Sequence, residues 1–201
     1  MNVITGTTAG ADLPRPILIG YRATGKSTLA VELARQLGCQ CVDADEVFEE
    51  RFGCSITRFI RDRGEPAFRD AETALLRELL KQSDTILSTG GGVVLRQENR
   101  QLLRQAGRPV VWLTAPAAEI RRRLAADPST SERRPALAGG DVLDEVEQAL
   151  AQREQWYREV ADGLFDTTAP PQTSLVAAVC TWLAGRRPAA EGSHSGDGVG
   201  Q

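Results

Sequence analysis

Lysine, histidine and paired cysteine are nearly absent from this 201-residue chain. Of its 24 basic residues only Lys26 and Lys81 are lysines, and the sole histidine, His194, lies in a Gly/Ser-rich C-terminal stretch. Cys39, Cys41, Cys54 and Cys180 form no CxxC pair, which excludes the usual zinc-ribbon and thioredoxin-like spacings. They read as free thiols of a reducing compartment. No window approaches the roughly 18 apolar residues that span a bilayer, and the N-terminus lacks a basic region followed by an apolar run. The expectation is a cytoplasmic protein with no membrane partner. A formal net charge of −3 and a pI near 5.4 give no general attraction for nucleic acid, so any anionic ligand must be held by local basicity.

The length suits one domain. Residues 1–15 read as a flexible leader, 16–185 as the working domain and 186–201 as a disordered tail without apolar periodicity. Short apolar strands are expected at 16–19, 40–43, 85–88, 109–113 and 164–166. Helical periodicity appears at 26–37, 46–52, 56–60, 66–80, 117–125, 142–160 and 174–183. This alternation predicts an α/β fold, a mostly parallel sheet covered on both faces. Residues 127–140, DPSTSERRPALAGG, have no convincing period and read as a mobile lid.

The segment Gly20-Tyr21-Arg22-Ala23-Thr24-Gly25-Lys26-Ser27 matches G-x-x-x-x-G-K-[ST], with a strand before it and a helix after it. Such a loop wraps backbone N–H groups around phosphate oxygens, aided by the helix N-terminus. Gly20, Ala23, Thr24, Gly25, Lys26, Ser27 and Thr28 are therefore the candidate ATP-binding residues, with the Lys26 amine near the β/γ oxygens and the Ser27 hydroxyl available to Mg²⁺. GTPases, ATPases and kinases share this loop. No Asn-Lys pair exists to read guanine, and the third strand ends in Ser88-Thr89 rather than the acidic end of a motor ATPase.

The second strand ends in DAD. In extended backbone Asp43 and Asp45 project from one side at the sheet's C-terminal edge, where α/β proteins place ligands. Asp43 is the candidate metal carboxylate and Asp45 the group that orients or deprotonates an acceptor hydroxyl. A helix N-cap is the alternative for Asp45. Glu65, Arg69 and Glu72 share a helical face, so Arg69 can be held by carboxylates while its fork meets a ligand carboxylate, or can belong to a solvated ion-pair network. Gly90, Gly91 and Gly92 follow a buried strand and suggest close approach of a small polar ligand to the backbone. Arg134, before Pro135 in the lid segment, is placed to meet a transferring phosphoryl group, and Arg153 to supply a second donor fork. An ordinary surface charge is the alternative for each.

Taken in order, ILIGYRATGKST, VDADEVFEE, FIRDRGEPAFRDAE, ILSTGGGVV, VVWL, RRPAL and LAQREQWYREVAD resemble the shikimate kinase family across nearly all of 16–185. The resemblance implies a three-layer P-loop kinase fold with a central five-stranded parallel sheet. It also implies transfer of the γ-phosphoryl group of ATP to the 3-hydroxyl of shikimate, with Mg²⁺. By the same resemblance Asp43 lies near the metal, Asp45 binds the shikimate hydroxyls, Arg69 and Arg153 clamp its carboxylate with a Gly91 backbone contact, and Arg134 is the lid arginine. The chain departs from the family's RPLL at Arg134-Pro135-Ala136-Leu137. No arginine stands early in the lid segment to meet adenine, and Arg122 and Arg123 lie upstream on a helix. A gluconate kinase-like enzyme and a non-catalytic nucleotide-binding protein are the alternatives. A monomer with small-molecule substrates is expected.

Overall fold

Alternate residues of a strand face opposite ways, so a strand that is apolar at every position must be covered on both sides. The central strands here are of that kind. A computed structural model describes residues 13–126, 142–168 and 172–186. Its five strands are β1 (Ile17–Ile19), β2 (Gln40–Asp43), β3 (Thr85–Ser88), β4 (Val110–Thr114) and β5 (Gly163–Asp166). All neighbouring pairs are parallel, in the order β2-β3-β1-β4-β5.

The helices are α1 (Lys26–Leu37), α2 (Ala44–Phe52), α3 (Ile56–Arg63), α4 (Glu65–Leu79), α5 (Gln97–Arg104), α6 (Ala117–Ala126), α7 (Val142–Val160) and α8 (Gln172–Ala184). Gly38 and Gly53 end α1 and α2 in the left-handed region, at φ 63° and 64°. Ser55 caps α3 by accepting from the Arg58 amide at 3.2 Å, and Pro66 occupies the first turn of α4, where a missing N–H costs nothing.

Strand alternation divides the core in two. Ile17, Ile19, Leu87, Val110 and Trp112 face one layer, filled by Phe48, Phe59, Phe68, Leu76 and Tyr157. Leu18, Ile86, Val111 and Leu113 face the other, filled by Leu29, Leu33 and Leu37 of α1 and Val179 and Leu183 of α8. Each fully buried large apolar side chain contributes about 1.5–3 kcal/mol. Phe48, Phe52, Phe59 and Phe68 form one aromatic cluster with neighbouring centroids 4.5–5.1 Å apart, which fastens α2, α3 and α4 together. The α/β class and the five-stranded parallel sheet agree with the sequence expectation.

Three details differ from it. Leu13 is buried in the α1/α8 layer and the Arg15 carbonyl accepts from Arg108 Nε at 3.0 Å, so the end of the expected leader belongs to the domain. Helix α5 had no counterpart in the sequence reading: it is short, lacks a side-chain cap, and buries only Asn99 and Leu103. The chain also turns directly after Asp43. Asp43 accepts from the Asp45 amide at 3.0 Å as the N-cap of α2, and Asp45 lies in the first helical turn rather than in extended backbone. The expected lid at 127–140, with Arg134 and its RPAL sequence, lies outside the described residues, as do 1–12 and 187–201. Among the described residues no helix is long and apolar enough to cross a membrane.

Candidate active site

The loop from β1 to α1 is shaped by backbone that few residues tolerate. Gly20 has φ 140°, and a Cβ there would stand 2.3 Å from the Leu113 carbonyl oxygen, so a side chain is excluded. Gly25 enters the left-handed region immediately before α1, and so does Ala23, at φ 60°. The turn closes on one carbonyl. Tyr21 O accepts from Thr24 Oγ1 at 2.7 Å and from Lys26 Nζ at 2.9 Å. The lysine is thus drawn across the loop, only 8% exposed, while Ser27 and Thr28 at the start of α1 are open to solvent. Amides of the first helical turn lack intrahelical acceptors and favour an anion there.

Beside this loop the β2-β3 register sets Asp43 opposite Ser88. Asp43 Oδ2 accepts from Ser27 Oγ at 2.6 Å and from Ser88 Oγ at 3.0 Å. This is a compact set of hard oxygen donors at the mouth of the phosphate loop, the chemistry that Mg²⁺ prefers. Among the described residues there is no cluster of three or more His, Cys, Asp or Glu able to hold a metal, so an ion here would complete its shell with phosphate oxygens and water.

The acceptor side begins at Asp45, which lines a cleft with Phe48, Phe68, Glu72, Thr89 and Gly90. Three glycines make that side possible, each for a different neighbour. A Cβ on Gly90 would lie 2.7 Å from Asp45 Oδ1, one on Gly91 would lie 2.9 Å from the Arg22 amide nitrogen, and one on Gly92 would lie 2.5 Å from Arg69 Nη1. The sequence suggested that a ligand approaches this run. The close approach seen is that of the protein's own carboxylate, phosphate loop and guanidinium.

Arg69 is 8% exposed. Its Nη2 meets Glu65 Oε1 at 3.0 Å and its Nη1 meets Glu72 Oε2 at 2.8 Å. Burial works against its charge, but Glu72 and Glu65 outweigh it and hold the guanidinium above its ordinary range. Arg153 donates to the Gly91 carbonyl at 3.2 Å, and the Tyr157 hydroxyl donates to the same oxygen at 2.6 Å. Burial raises the Tyr157 pKa well above that of an ordinary phenol, so it stays a neutral donor, with its ring stacked on Trp112 at 5.5 Å.

The structure therefore brings Gly20–Ser27, Asp43, Asp45, Arg69, Gly90–Gly92 and Arg153 to one edge of the sheet. Sequence reasoning passed over Ser88, Tyr157 and Arg22, each of which resembles an ordinary strand, helix or loop residue until its neighbours are known. Arg122 and Arg123 also separate. Arg122 pairs with half-buried Glu119, whose pKa these two arginines lower to about 2, whereas Arg123 additionally reaches the Ala23 carbonyl at 3.3 Å and the Thr167 carbonyl at 2.7 Å. It ties the phosphate loop to the segment after β5.

The family model for shikimate kinase matches residues 22–184. The chain belongs to the shikimate kinase family. It is 43% identical over 158 residues to the shikimate kinase of Oleidesulfovibrio alaskensis, covering 79% of this chain and 91% of that one. It is 41% identical over 161 residues to that of Nitratidesulfovibrio vulgaris, covering 80% and 91%. The solved shikimate kinase from Acinetobacter baumannii in complex with shikimate superposes with a TM-score of 0.81 at 29% identity, covering 90% of this chain and 98% of that one. A gluconokinase from Sinorhizobium meliloti gives 0.50 at 16% identity, with 86% and 93% covered, which shows a shared fold alone. As a member of the shikimate kinase family the chain is an ATP-dependent small-molecule kinase.

Proposed function

We propose that the chain transfers the γ-phosphoryl group of ATP to the 3-hydroxyl of shikimate, giving ADP and shikimate 3-phosphate. The observation that carries this reading is the shared wall: Gly91 packs against the phosphate loop at Arg22 while its carbonyl anchors Arg153 and Tyr157. Donor and acceptor sites are thereby adjacent and mutually fixed, as in-line transfer requires.

In this reading the loop amides and Lys26 hold the β- and γ-phosphates, with Lys26 exchanging the Tyr21 carbonyl for phosphate oxygen. Ser27 and Asp43 would hold a magnesium ion by their oxygen donors. When bound, that ion would supply charge neutralisation on the phosphates. Asp45 accepts the hydrogen bond, and then the proton, of the attacking hydroxyl. Arg69 and Arg153 meet the acceptor carboxylate, and Arg134 of the 127–140 segment meets the transferring group. The four free thiols suit a cytoplasmic setting.

The test is ADP release with ATP, Mg²⁺ and shikimate, gluconate or nucleoside monophosphates in parallel. Turnover is expected with shikimate. Turnover with gluconate and none with shikimate overturns the assignment. For Arg134→Ala the loss should fall on kcat rather than on shikimate binding, and the reverse pattern removes it from the transfer step.

A further inference from the structure

Three guanidinium groups stand near the acceptor wall, and they are not in the same electrostatic state. Arg69 is already matched by two carboxylates, Glu65 and Glu72. An acceptor carboxylate arriving at Arg69 alone would meet both glutamates as well. Net positive charge has to come from elsewhere on the wall.

Arg153 and Arg22 have that charge to offer. Neither has a carboxylate partner among the described residues, and in each the Nε–H is buried from water with no hydrogen-bond acceptor. Both guanidinium carbons lie over the ring of Tyr21, that of Arg153 at 5.2 Å from the centroid and that of Arg22 at 5.8 Å. A buried donor left unmade is costly, and two cations beside one ring add mutual repulsion. Such a pair is relieved by an anion that accepts from both. Arg22 also stands on the acceptor side of its loop, since its amide nitrogen adjoins Gly91, the residue whose carbonyl holds Arg153. Thr24 and Lys26 turn instead to the Tyr21 carbonyl. Finally, Arg22 occupies a position that the phosphate-loop pattern leaves unspecified, so phosphate binding does not by itself demand an arginine there.

We propose that Arg22, although part of the phosphate loop, binds the carboxylate of the acceptor together with Arg153 and so contributes to acceptor specificity. A planar two-oxygen anion can take one guanidinium on each oxygen. The inference rests on shikimate being the acceptor. It makes the phosphate loop a two-sided element, with backbone and Lys26 for the donor and one side chain for the acceptor.

The test compares the full-length enzyme with Arg22→Met, which keeps the length of the stem and removes the charge, on shikimate and on its neutral carboxamide. Arg22→Met should lower kcat/KM for shikimate about tenfold or more, mainly through KM, with the KM for ATP unchanged. On the carboxamide the same substitution should change kcat/KM by less than about twofold, because the group it recognises is gone. Equal losses on the two acceptors, or a loss confined to kcat and the KM for ATP, overturn the proposal. Arg22→Lys should fall between the two on shikimate and carries the same comparison if the methionine variant melts early. Wild-type enzyme that fails to turn over shikimate in this assay refutes the proposed function itself, whatever the variants do.

Discussion

The phosphate loop and the acceptor wall meet at Gly91 but are built by opposite means. The loop is eight consecutive residues, Gly20 to Ser27, whose shape comes from backbone conformation and from hydrogen bonds onto one carbonyl. The wall collects Asp45, Arg69, Gly90 to Gly92, Arg153 and Tyr157 from separate helices and a strand end, and its shape comes from side chains buried against one another. A loop residue should therefore be removable at a cost to chemistry with little cost to folding. A wall residue should cost both.

Lys26→Ala is the sharpest test of the loop half. In the proposed reaction its ammonium is one of the fixed charges on the transferring group, so kcat should fall by about 10²–10³. The Tyr21 carbonyl keeps its bond from Thr24, so the melting temperature should hardly move. A large drop in stability would mean that the lysine is part of the scaffold.

Arg69→Ala tests the other half. Loss of a charged donor fork should raise the KM for shikimate roughly 50-fold, and breaking the ion pair with Glu72, which is 11% exposed, should remove about 2–4 kcal/mol of stability in urea melts. An unchanged KM would take Arg69 out of the acceptor site.

Gly92→Ala reaches the same guanidinium from behind. Its methyl would press on Arg69 Nη1, which two carboxylates pin in place, and should cost about 1–3 kcal/mol with a KM change near tenfold. A variant with normal KM would show that Arg69 can move without loss.

Tyr157→Phe isolates the shared Gly91 carbonyl and should cost about 1 kcal/mol at neutral pH. It also carries a pH signature. Burial raises the folded-state pKa above the ordinary phenol value of about 10, so the contribution is complete below that pH. As pH rises past it the unfolded chain releases a proton that the fold retains, and stability falls. The phenylalanine variant should show a shallower alkaline decline in denaturant melts, and an identical decline would assign it to other groups.

The smallest effect expected is from Ala23→Gly. An L-residue in the left-handed region costs about 1–2 kcal/mol, against roughly 0.5–1 kcal/mol for the extra chain entropy of glycine. The variant should be more stable by about 0.5 kcal/mol in thermal melts. A less stable one would mean that the methyl's packing near Tyr21 and Ile120 outweighs the strain.

The same contrast explains what could be read in advance. The phosphate loop was legible because its determinants are local: glycines at fixed offsets, a strand before and a helix after. The Glu65–Arg69–Glu72 alignment was legible for the same reason, being set by helical periodicity. Helix α5 was not, because a short polar segment without a cap is stabilised by what it packs against. Asp43 and Asp45 were legible as a pair at the end of β2, but not their relation, since the turn at Ala44 that converts Asp43 into an N-cap depends on where α2 can pack. Tyr157 gave no signal at all, as an aromatic on a helix reads as core and only the approach of the Gly91 carbonyl gives its hydroxyl a task.

Local pattern was enough for the layer order, the phosphate loop and the inventory of charged side chains from which an acceptor site could be made. Which of those charges are already neutralised, and which are left for a ligand, emerged from the packed fold alone. The reason is physical: backbone conformation is set by residues a few positions apart, whereas desolvation and ion pairing depend on what lies within a few ångströms in space, and that is fixed only when the sheet and its helices close together.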